Sequence, residues 1–302
     1  MGTQAGQPDL LGQSEKFGGK VATWQPDRSA AVLVTGANGR IGRALRAVLP
    51  ENRAAGLPIL WHGRQAGPGV DLVWDIGANP PVVLPKGLII LHLAGRPTGD
   101  VASHALATEA VCHAANAAAA RHVFVMSSAA IYAPGSEALR EDAAPGPISD
   151  YGRAKLAAEQ VAHRVLQGPG LTLLRLANVA GADALLGGCV PGRVVVLDPV
   201  AGQAGGPERS YIGPRVLADV LVGLVARVVA GRDLPLVLNV AQPGVIAMAD
   251  LLAARGQPWA FGPVRAAAIA RVVVDTSLLQ SLISVPVATA AGLVADMDGV
   301  PG

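Results

Sequence analysis

Residues 31–42 read AVLVTGANGRIG and decide the fold. A short apolar run enters a turn that carries Gly36, Gly39 and Gly42, and an apolar pattern with helical spacing then continues to Pro50. Glycines after a buried strand permit a tight turn and let backbone N–H groups approach a pyrophosphate at the start of a helix. Glycine spacing alone is a weak signal. The prediction of a dinucleotide-binding turn therefore rests on the position of these glycines, directly after an apolar strand and before a helix. The alternative is a loop whose glycines serve turn geometry only.

Short apolar strands alternate with helices beyond this turn. Such alternation is typical of a parallel sheet covered by helices on both faces. We therefore predict the α/β class, with a doubly wound parallel sheet of the Rossmann type and a small C-terminal α/β substrate lobe. The predicted strands are 31–35, 58–61, 71–74, 88–93, 122–126, 171–176, 236–240 and 271–274, and the predicted helices are 41–49, 101–120, 151–166, 215–229 and 247–255.

The chain divides into three predicted regions. Residues 1–29 are rich in Gly, Gln and Ser without a periodic apolar pattern, which predicts a flexible N-terminal extension or, alternatively, a partner-binding arm. Residues 30–178 form the predicted dinucleotide-binding Rossmann domain. Residues 179–302 form mainly the substrate lobe, from which a helix and a strand at about 215–240 return to the Rossmann sheet.

Composition and charge exclude several classes of protein. The formal net charge is +2 and no Lys/Arg-rich run occurs, so neither a nucleic-acid footprint nor a polybasic membrane anchor is expected. The apolar stretch 216–229 is interrupted by Asp219 and Arg227, too soon for a membrane span. Cys112 and Cys189 form no disulfide framework and no metal-ligand spacing. We expect a cytoplasmic protein that acts on a small-molecule substrate and holds no metal.

The end of the second predicted strand indicates which dinucleotide binds. An acid at this point accepts the ribose 2′-hydroxyl of NAD, whereas an arginine pairs with the 2′-phosphate of NADP. Residues 60–64 read LWHGR, so Arg64 favours NADP, with NAD as the alternative. A solvated surface side chain is the other interpretation of Arg64. Asp75, at the end of the next strand, is predicted to accept a hydrogen bond from the adenine amino group or to cap a loop.

Tyr151 and Lys155 lie four residues apart, on one face of a predicted helix. The chain has three tyrosines and four lysines, so this pairing is specific. A carbonyl–alcohol redox step needs a proton donor or acceptor at the substrate oxygen, and an ammonium beside a phenol is expected to lower the phenol pKa. Ser128 follows the strand 122–126 and is predicted to bond the substrate oxygen, with Ser127 as the neighbouring alternative.

In sequence order these motifs resemble the NAD-dependent epimerase/dehydratase family, the extended short-chain dehydrogenase/reductases, and within it UDP-glucose 4-epimerase-like proteins. The resemblance runs from residue 32 to about residue 277. Its motifs are TGANGRIG (35–42), DI (75–76), HLAG (92–95), SSAAIY (127–132), YGRAK (151–155), LRLANVAG (174–181), RSYIGPRVLAD (209–219) and LNVAQPG (238–244).

The resemblance implies a set of site residues and a homodimer built by the helices 101–120 and 151–166. The residues that match the family's catalytic positions are Ser128, Tyr151 and Lys155. Those that match its cofactor-binding positions are Gly36, Asn38, Gly39, Arg40, Ile41, Gly42, Asp75, Ile76, Leu93, Ala94, Gly95, Tyr151, Lys155 and Asn178, to which the strand-end argument adds Arg64. Those that match its substrate-binding positions are Ser128, Asn178, Arg209 and Arg265, the two arginines matching residues that contact substrate phosphate.

The substrate half departs from the family pattern. Thirty residues lie between Asn178 and Arg209, where sugar-nucleotide enzymes have a much longer segment. Ala268 stands at the position of a family Asp, and the segment before Thr108 offers Ser103 and His104 in place of the usual Asn. The cofactor half therefore matches the family better than the substrate half.

Three functions remain open at this point. The first is an epimerase of a nucleotide sugar or related carbohydrate, the second an NADP-dependent carbonyl reductase or dehydrogenase of a smaller non-nucleotide substrate, and the third a non-catalytic NADP-binding regulatory protein. Ala129 and Ala130 stand where 4,6-dehydratases carry Asp-Glu, which disfavours dehydration. Retention of the three catalytic matches disfavours the third function. Arg209 favours the epimerase, and Arg64 with the short substrate lobe favours the reductase.

Overall fold

A computed structural model describes residues 31–49, 53–76, 84–95, 102–266 and 268–301, so the predicted extension 1–29 lies outside the described residues. The strands in this part are β1 (Val32–Thr35), β2 (Arg53–Ala54), β3 (Leu57–Gly63), β4 (Leu72–Val73), β5 (Ile89–His92), β6 (His122–Ser128), β7 (Gly170–Leu176), β8 (Asn178–Val179), β9 (Val195–Leu197), β10 (Glu208–Arg209), β11 (Tyr211–Ile212), β12 (Val237–Val240), β13 (Ile246–Ala247), β14 (Trp259–Phe261) and β15 (Arg271–Val272). The α-helices are α1 (Arg40–Val48), α2 (Ser103–Ala117), α3 (Asp150–Val165), α4 (Pro214–Val229), α5 (Met248–Ala254), α6 (Ser277–Leu282) and α7 (Ala290–Met297).

The largest sheet has the strand order β12-β7-β6-β5-β1-β3-β2, with β4 beside the end of β3. All its pairs are parallel except β2 with β3. The chain order reverses at β1, which lies between β5 and β3, and this reversal opens the crevice where doubly wound sheets bind ligands. The predicted fold class, a mostly parallel doubly wound sheet, is confirmed.

Each face of the sheet buries its own core. Successive side chains of a strand point to opposite faces. Val32 and Val34 of β1 therefore pack in one core with residues of α1 and α4. Leu33 packs in the other, with residues of α2 and α3. Because both faces are covered, strands β1 and β5 are apolar along almost their whole length rather than alternating.

The C-terminal part of the chain contributes to both the main sheet and the smaller lobe. Helix α4 contacts α1, and β12 pairs with β7 in parallel register, Leu238 opposite Leu174. The lobe contains a three-stranded sheet in the order β13-β10-β15, the strand pairs β8–β11 and β9–β14, and helices α5 and α7 around a third apolar core. This arrangement brings the lobe residues after β7 beside the carboxyl end of the main sheet.

Two observations on the described residues concern membrane spans and metal sites. Every helix in these ranges is too short or too polar to span a bilayer. Within the same ranges, no three side chains of His, Cys, Asp or Glu lie together as a metal site would require. Both cysteines are free, Cys112 buried and Cys189 half-buried.

Candidate active site

The turn between β1 and α1 is built so closely that it requires glycine at two positions. Gly36 has a φ of +78°, and a Cβ on it would lie 2.9 Å from the backbone nitrogen of Ala94. A Cβ on Gly42 would lie 2.3 Å from the carbonyl oxygen of Gly36. The first contact brings the turn against the end of β5, and the second brings α1 against the turn.

The N-terminus of α1 is arranged to accept an anion. The helix begins at Arg40, its N-cap Gly39 supplies no side-chain bond, and the first turn contains no acidic residue. The first N–H groups of such a helix carry partial positive charge and lack partners within the helix. Residues 39–43 line a cavity, so these groups and the Arg40 side chain border open space. The observed turn therefore fits a dinucleotide pyrophosphate.

This cavity has a volume of about 580 Å³ and extends from the glycine turn to the start of α3. It gathers most of the predicted cofactor and catalytic positions. The predicted site residues that line it are Gly36, Gly39, Arg40, Ile41, Gly42, Leu93, Gly95, Ser128, Tyr151, Lys155 and Asn178. The predicted site residues that do not line it are Asn38, Arg64, Asp75, Ile76, Ala94, Arg209 and Arg265.

Three elements position the predicted catalytic side chains. Ser149 caps α3, its Oγ accepting the Gly152 N–H at 3.0 Å, which places Tyr151 in the first turn. Ser128 ends β6, and its side chain lies near enough to the Tyr151 phenol to act on the phenol pKa. The Lys155 Nζ lies 5.8 Å from the centroid of the Tyr151 ring. The strand end and the helix start thus bring the three predicted residues together.

The charge states of these groups are set mainly by burial. Burial raises the pKa of Tyr151 above its usual value, and the nearby Ser128 side chain opposes that rise only in part. Burial lowers the pKa of Lys155 to about 8, against the opposing charge of Glu159. The sequence led us to expect that the ammonium lowers the phenol pKa. The structure differs because the Lys155 Nζ donates its bond to the Met126 carbonyl, at 2.7 Å, and desolvation of the phenol dominates.

A buried ion pair lies behind Lys155, and the sequence analysis did not find it. Glu159, one helical turn after Lys155, accepts two hydrogen bonds from Arg175, at 3.1 and 3.0 Å, and a third from the Ser127 hydroxyl. Both partners are almost fully buried, with the Glu159 and Arg175 side chains 5% and 6% exposed. Arg175 also donates to the Tyr132 hydroxyl at 2.9 Å. The network ties α3 to β6 and β7 directly behind the predicted proton-transfer residues.

Two buried histidines organise the backbone under the cavity. The Thr35 hydroxyl accepts the N–H groups of Leu93 and Ala94, so its own proton is directed to the Nδ1 of His92, at 2.8 Å. The Nδ1 of His62 accepts the Gly36 N–H at 3.3 Å, and its Nε2 donates to a carbonyl 2.7 Å away. Burial lowers the pKa of both, that of His92 to about 3, so both rings are neutral at pH 7.

His104 and Asp183 are further cavity residues that the predicted site did not include. The His104 ring meets the Tyr151 ring edge to face, with centroids 6.0 Å apart. A Cβ on Gly95 would lie 2.4 Å from the His104 ring, so the glycine makes room for it. Asp183 accepts the N–H groups of the residues two and three positions later, and burial raises its pKa. The motifs miss both residues, since Asp183 lies two positions after the motif that ends at Gly181 and His104 lies in the segment that lacks the family's usual Asn.

Arg209 and Arg265, the two arginines predicted to contact substrate phosphate, contact other groups of the protein in this structure. The Arg209 guanidinium donates to the carbonyls of Glu208, Ile269 and Ala270, at 2.8, 2.9 and 3.5 Å. Arg265 is exposed and lies 3.5 Å from the carboxylate of Asp198. Neither arginine lines the cavity that contains Tyr151. The predicted phosphate contacts of both remain predictions.

Arg64 and Asp75 lie near the glycine turn but outside the cavity lining. Arg64 directly follows β3 and is exposed. Asp75 is half-buried, and its charge acts on His62. The assignment of Arg64 to a 2′-phosphate and of Asp75 to adenine therefore stays a prediction.

Residues 92–192, about one third of the chain, match the sequence model of the NAD dependent epimerase/dehydratase family. This match confirms the resemblance seen in the motifs. An uncharacterised protein of Sinorhizobium fredii, y4nG, is 33% identical over 108 residues, which are 36% of this chain and 25% of that protein. The match thus spans a quarter of that relative's length.

Solved structures share the fold over nearly the whole chain. MoeE5 in complex with UDP-glucuronic acid and NAD superimposes with a TM-score of 0.70 at 24% identity, covering 88% of this chain and 97% of that one. A UDP-glucose-4-epimerase of Stenotrophomonas maltophila with bound NAD gives 0.69 at 18% identity, covering 88% and 96%. The UDP-glucuronic acid 4-epimerase of Bacillus cereus in complex with UDP-glucuronic acid and NAD gives 0.66 at 16% identity, covering 88% and 97%. At these identities the likeness is one of fold.

Proposed function

We propose that this chain is an enzyme that transfers hydride between a nicotinamide dinucleotide and the hydroxyl or carbonyl carbon of a small molecule, a nucleotide sugar or related carbohydrate being the first substrate class to test. One observation carries the proposal: Ser128, Tyr151 and Lys155 line the same cavity as the glycine turn. A dinucleotide whose pyrophosphate lies at α1 has the space to extend toward the phenol. The bound nicotinamide supplies hydride transfer, and the residues around it supply proton transfer and positioning.

Tyr151 is the proton-transfer residue in this proposal. Because burial raises its pKa, the phenol keeps its proton at neutral pH and can donate it to a substrate carbonyl oxygen as that oxygen gains negative charge. The phenolate formed by that donation can take up the proton of a substrate hydroxyl in the oxidative direction. Ser128, whose side chain lies near the phenol and in the same cavity, is placed to hold the substrate oxygen beside it.

Lys155 contributes charge and position. Its Nζ lies against the Tyr151 ring and is held by the Met126 carbonyl. A positive charge near the phenol stabilises the phenolate that forms when the proton leaves. The ammonium also has donors that can bind the nicotinamide ribose.

The family match and the ligands named for the similar structures support an epimerase that acts on a nucleotide sugar. The substrate lobe gives one observation in favour of the second candidate, a carbonyl reductase or dehydrogenase of a smaller non-nucleotide substrate. The Arg209 guanidinium, predicted to contact a substrate phosphate, is bound by three backbone carbonyls. NADP remains the predicted dinucleotide because of Arg64, and NAD is the dinucleotide named for the similar structures.

The nicotinamide absorbance of the purified chain, mixed with NADP(H) or NAD(H) and a panel of nucleotide sugars and simple carbonyl compounds, tests this function. An epimerase converts its sugar without net absorbance change, and a reductase changes the absorbance in proportion to product. A chain that binds neither dinucleotide in a parallel calorimetric titration contradicts the proposal. So does a chain that binds a dinucleotide but whose Ser128→Ala variant shows unchanged turnover of the substrate that the panel reveals.

A further inference from the structure

A second cavity of about 700 Å³ lies outside the site described above and shares no lining residue with it. Pro134–Ser136 and Ile148 form one wall. These residues belong to the loop that leads from Ser128 at the end of β6 to Tyr151 in α3. The segment 268–271 of the substrate lobe lines the cavity as well. The cavity thus lies between the loop that joins two catalytic elements and the lobe expected to hold substrate.

The loop wall is fixed to the catalytic elements. Tyr132 and Pro145 form an antiparallel bridge across the base of the loop. The Gly146 N–H donates to the carbonyl of Ile131, at 2.9 Å. Ile148 is followed directly by Ser149, the residue that caps α3. A group bound against this wall therefore lies next to the first turn of α3, which carries the phenol.

Among its described residues, the lobe side of the lining offers no unpaired cation. Its ionised side chain, Arg271, is paired with Glu208, so the two charges cancel. Arg209 lies behind this wall and binds the carbonyls of residues 269 and 270, which holds the segment in place. A nucleoside diphosphate brings at least two negative charges, and burying them without a matching cation is unfavourable.

The remaining lining is mainly apolar, with two unmatched polar atoms. Ile148, Ala268 and Ile269 contribute hydrocarbon surface. The Oε1 of Gln203 and the Nε of Arg271, both in lining residues, are buried without a hydrogen-bond partner. Both atoms have almost no accessible surface, so neither offers a hydrogen bond to a group in the cavity.

We propose that this cavity binds an uncharged, mainly apolar alkyl or aryl group of the substrate. The proposal rests on the proposed hydride transfer at Tyr151 and adds the substrate class: a hydroxy or keto compound, such as a glycoside, that carries an apolar substituent rather than a nucleoside diphosphate. The apolar group packs between Ile148 and the segment 268–271, which leaves the reactive carbon to face α3.

Gly135 provides a variant that fills the cavity without disturbing the fold. A Cβ on Gly135 has no heavy atom within 4 Å, and its φ is not in the left-handed region. Gly135 lines the cavity, so Gly135→Trp adds an indole at its edge, where the Cβ meets open space. Ala253→Trp is the matched control, since Ala253 is exposed on α5 and lines neither cavity.

Nile red, a neutral apolar dye, is the binding probe, and its fluorescence is titrated with the full chain in the presence of NADP. We expect one saturable site per chain, weakened at least about tenfold by Gly135→Trp and unchanged by Ala253→Trp, because the indole removes the apolar volume. Primary alcohols from butanol to octanol displace the dye, each added methylene improving displacement by about fourfold. UDP, the nucleotide part of the ligands in the similar structures, does not displace it.

Equal dye affinity in wild type and Gly135→Trp overturns the proposal, and so does displacement of the dye by UDP. Dinucleotide binding and nicotinamide chemistry are measured separately on the same preparations. A chain that binds the dye as expected but performs no nicotinamide chemistry contradicts the proposed function while the cavity assignment stands. A chain with turnover whose dye binding ignores Gly135→Trp contradicts the cavity assignment alone.

Discussion

The cofactor half and the substrate lobe use their family motifs differently. In the cofactor half, the glycine turn and the Ser128, Tyr151 and Lys155 positions line one cavity. In the substrate lobe, Arg209 is bound by carbonyls and Arg265 is exposed beside Asp198. A glycine acts through backbone geometry that the fold itself dictates, whereas a long arginine acts through whichever partners surround it. A motif is therefore stronger evidence of function where its residues set the path of the backbone than where they act through a flexible side chain.

Loss of Glu159 should have the largest effect on stability, because it breaks the buried pair that underlies the cofactor half. Glu159→Ala leaves the Arg175 guanidinium buried and unpaired, and we expect a loss of about 3–5 kcal/mol in the free energy of unfolding. Urea unfolding followed by circular dichroism measures it. Glu109→Ala, which removes an exposed partner of Arg164, is the control and should cost about 0–1 kcal/mol. Equal losses would show that the buried network does not hold the sheet and α3 together.

Arg64→Ala tests whether the exposed Arg64 side chain binds the 2′-phosphate of NADP. If Arg64 pairs with the 2′-phosphate, its removal forfeits a charge-assisted hydrogen bond of about 1.5–3 kcal/mol, so NADP affinity falls about 10- to 150-fold. NAD affinity should change little. Calorimetric titration with both dinucleotides measures the difference, with exposed Arg232→Ala as control. Equal weakening of NADP and NAD would leave Arg64 a surface residue.

Gly42→Ala tests the close packing of the glycine turn, and Gly135→Ala, in the second cavity, serves as the comparison. Alanine normally favours a helix over glycine, but here its Cβ would press on the carbonyls of Gly36 and Ala37 at 2.3 and 2.7 Å. We expect a loss of about 1–3 kcal/mol in the free energy of unfolding and weaker dinucleotide binding. Gly135→Ala, which meets open space, should change neither. Thermal unfolding of both variants checks this, and a stabilised Gly42→Ala would refute the close packing of the turn.

The smallest predicted effect is a pH dependence of the reaction. The pKa of Lys155 is lowered to about 8, so its positive charge is lost as the pH rises through that value, while burial keeps the Tyr151 phenol protonated. The rate of carbonyl reduction should therefore fall above about pH 8. Glu159 raises the Lys155 pKa, so Glu159→Gln should shift the fall to lower pH. A flat kcat profile from about pH 7 to about pH 10 would contradict a role for the ammonium.

The main sheet was predictable from the sequence because its strands are apolar runs bounded by turns. The run 31–35, the helical pattern 41–49 and the strand 171–176 correspond to β1, α1 and β7 within one or two residues. Strands β8, β10, β11 and β13, of two residues each, were not predicted, whereas β4 and β15, equally short, lie within the predicted strands 71–74 and 271–274. Their positions follow from tertiary pairing.

The sequence predicts those features of the site that depend on the spacing of residues. It does not predict those that depend on how deeply a side chain is buried. The four-residue spacing of Tyr151 and Lys155 gave their shared helix face directly. The pKa directions of both groups depend on desolvation, which no local pattern contains. The bond from the Gly36 N–H to His62 joins residues 26 positions apart, and such a contact exists only once the strands have paired.

Turnover of Tyr151→Phe, compared with wild type at saturating dinucleotide, tests the central claim most directly. The variant keeps the ring against His104 and loses only the hydroxyl. We predict a fall in kcat of about 10²–10⁴-fold, with the dinucleotide Kd unchanged within about twofold, because the phenol is the proton donor and acceptor. Turnover preserved within a few-fold would contradict the assignment of proton transfer to Tyr151.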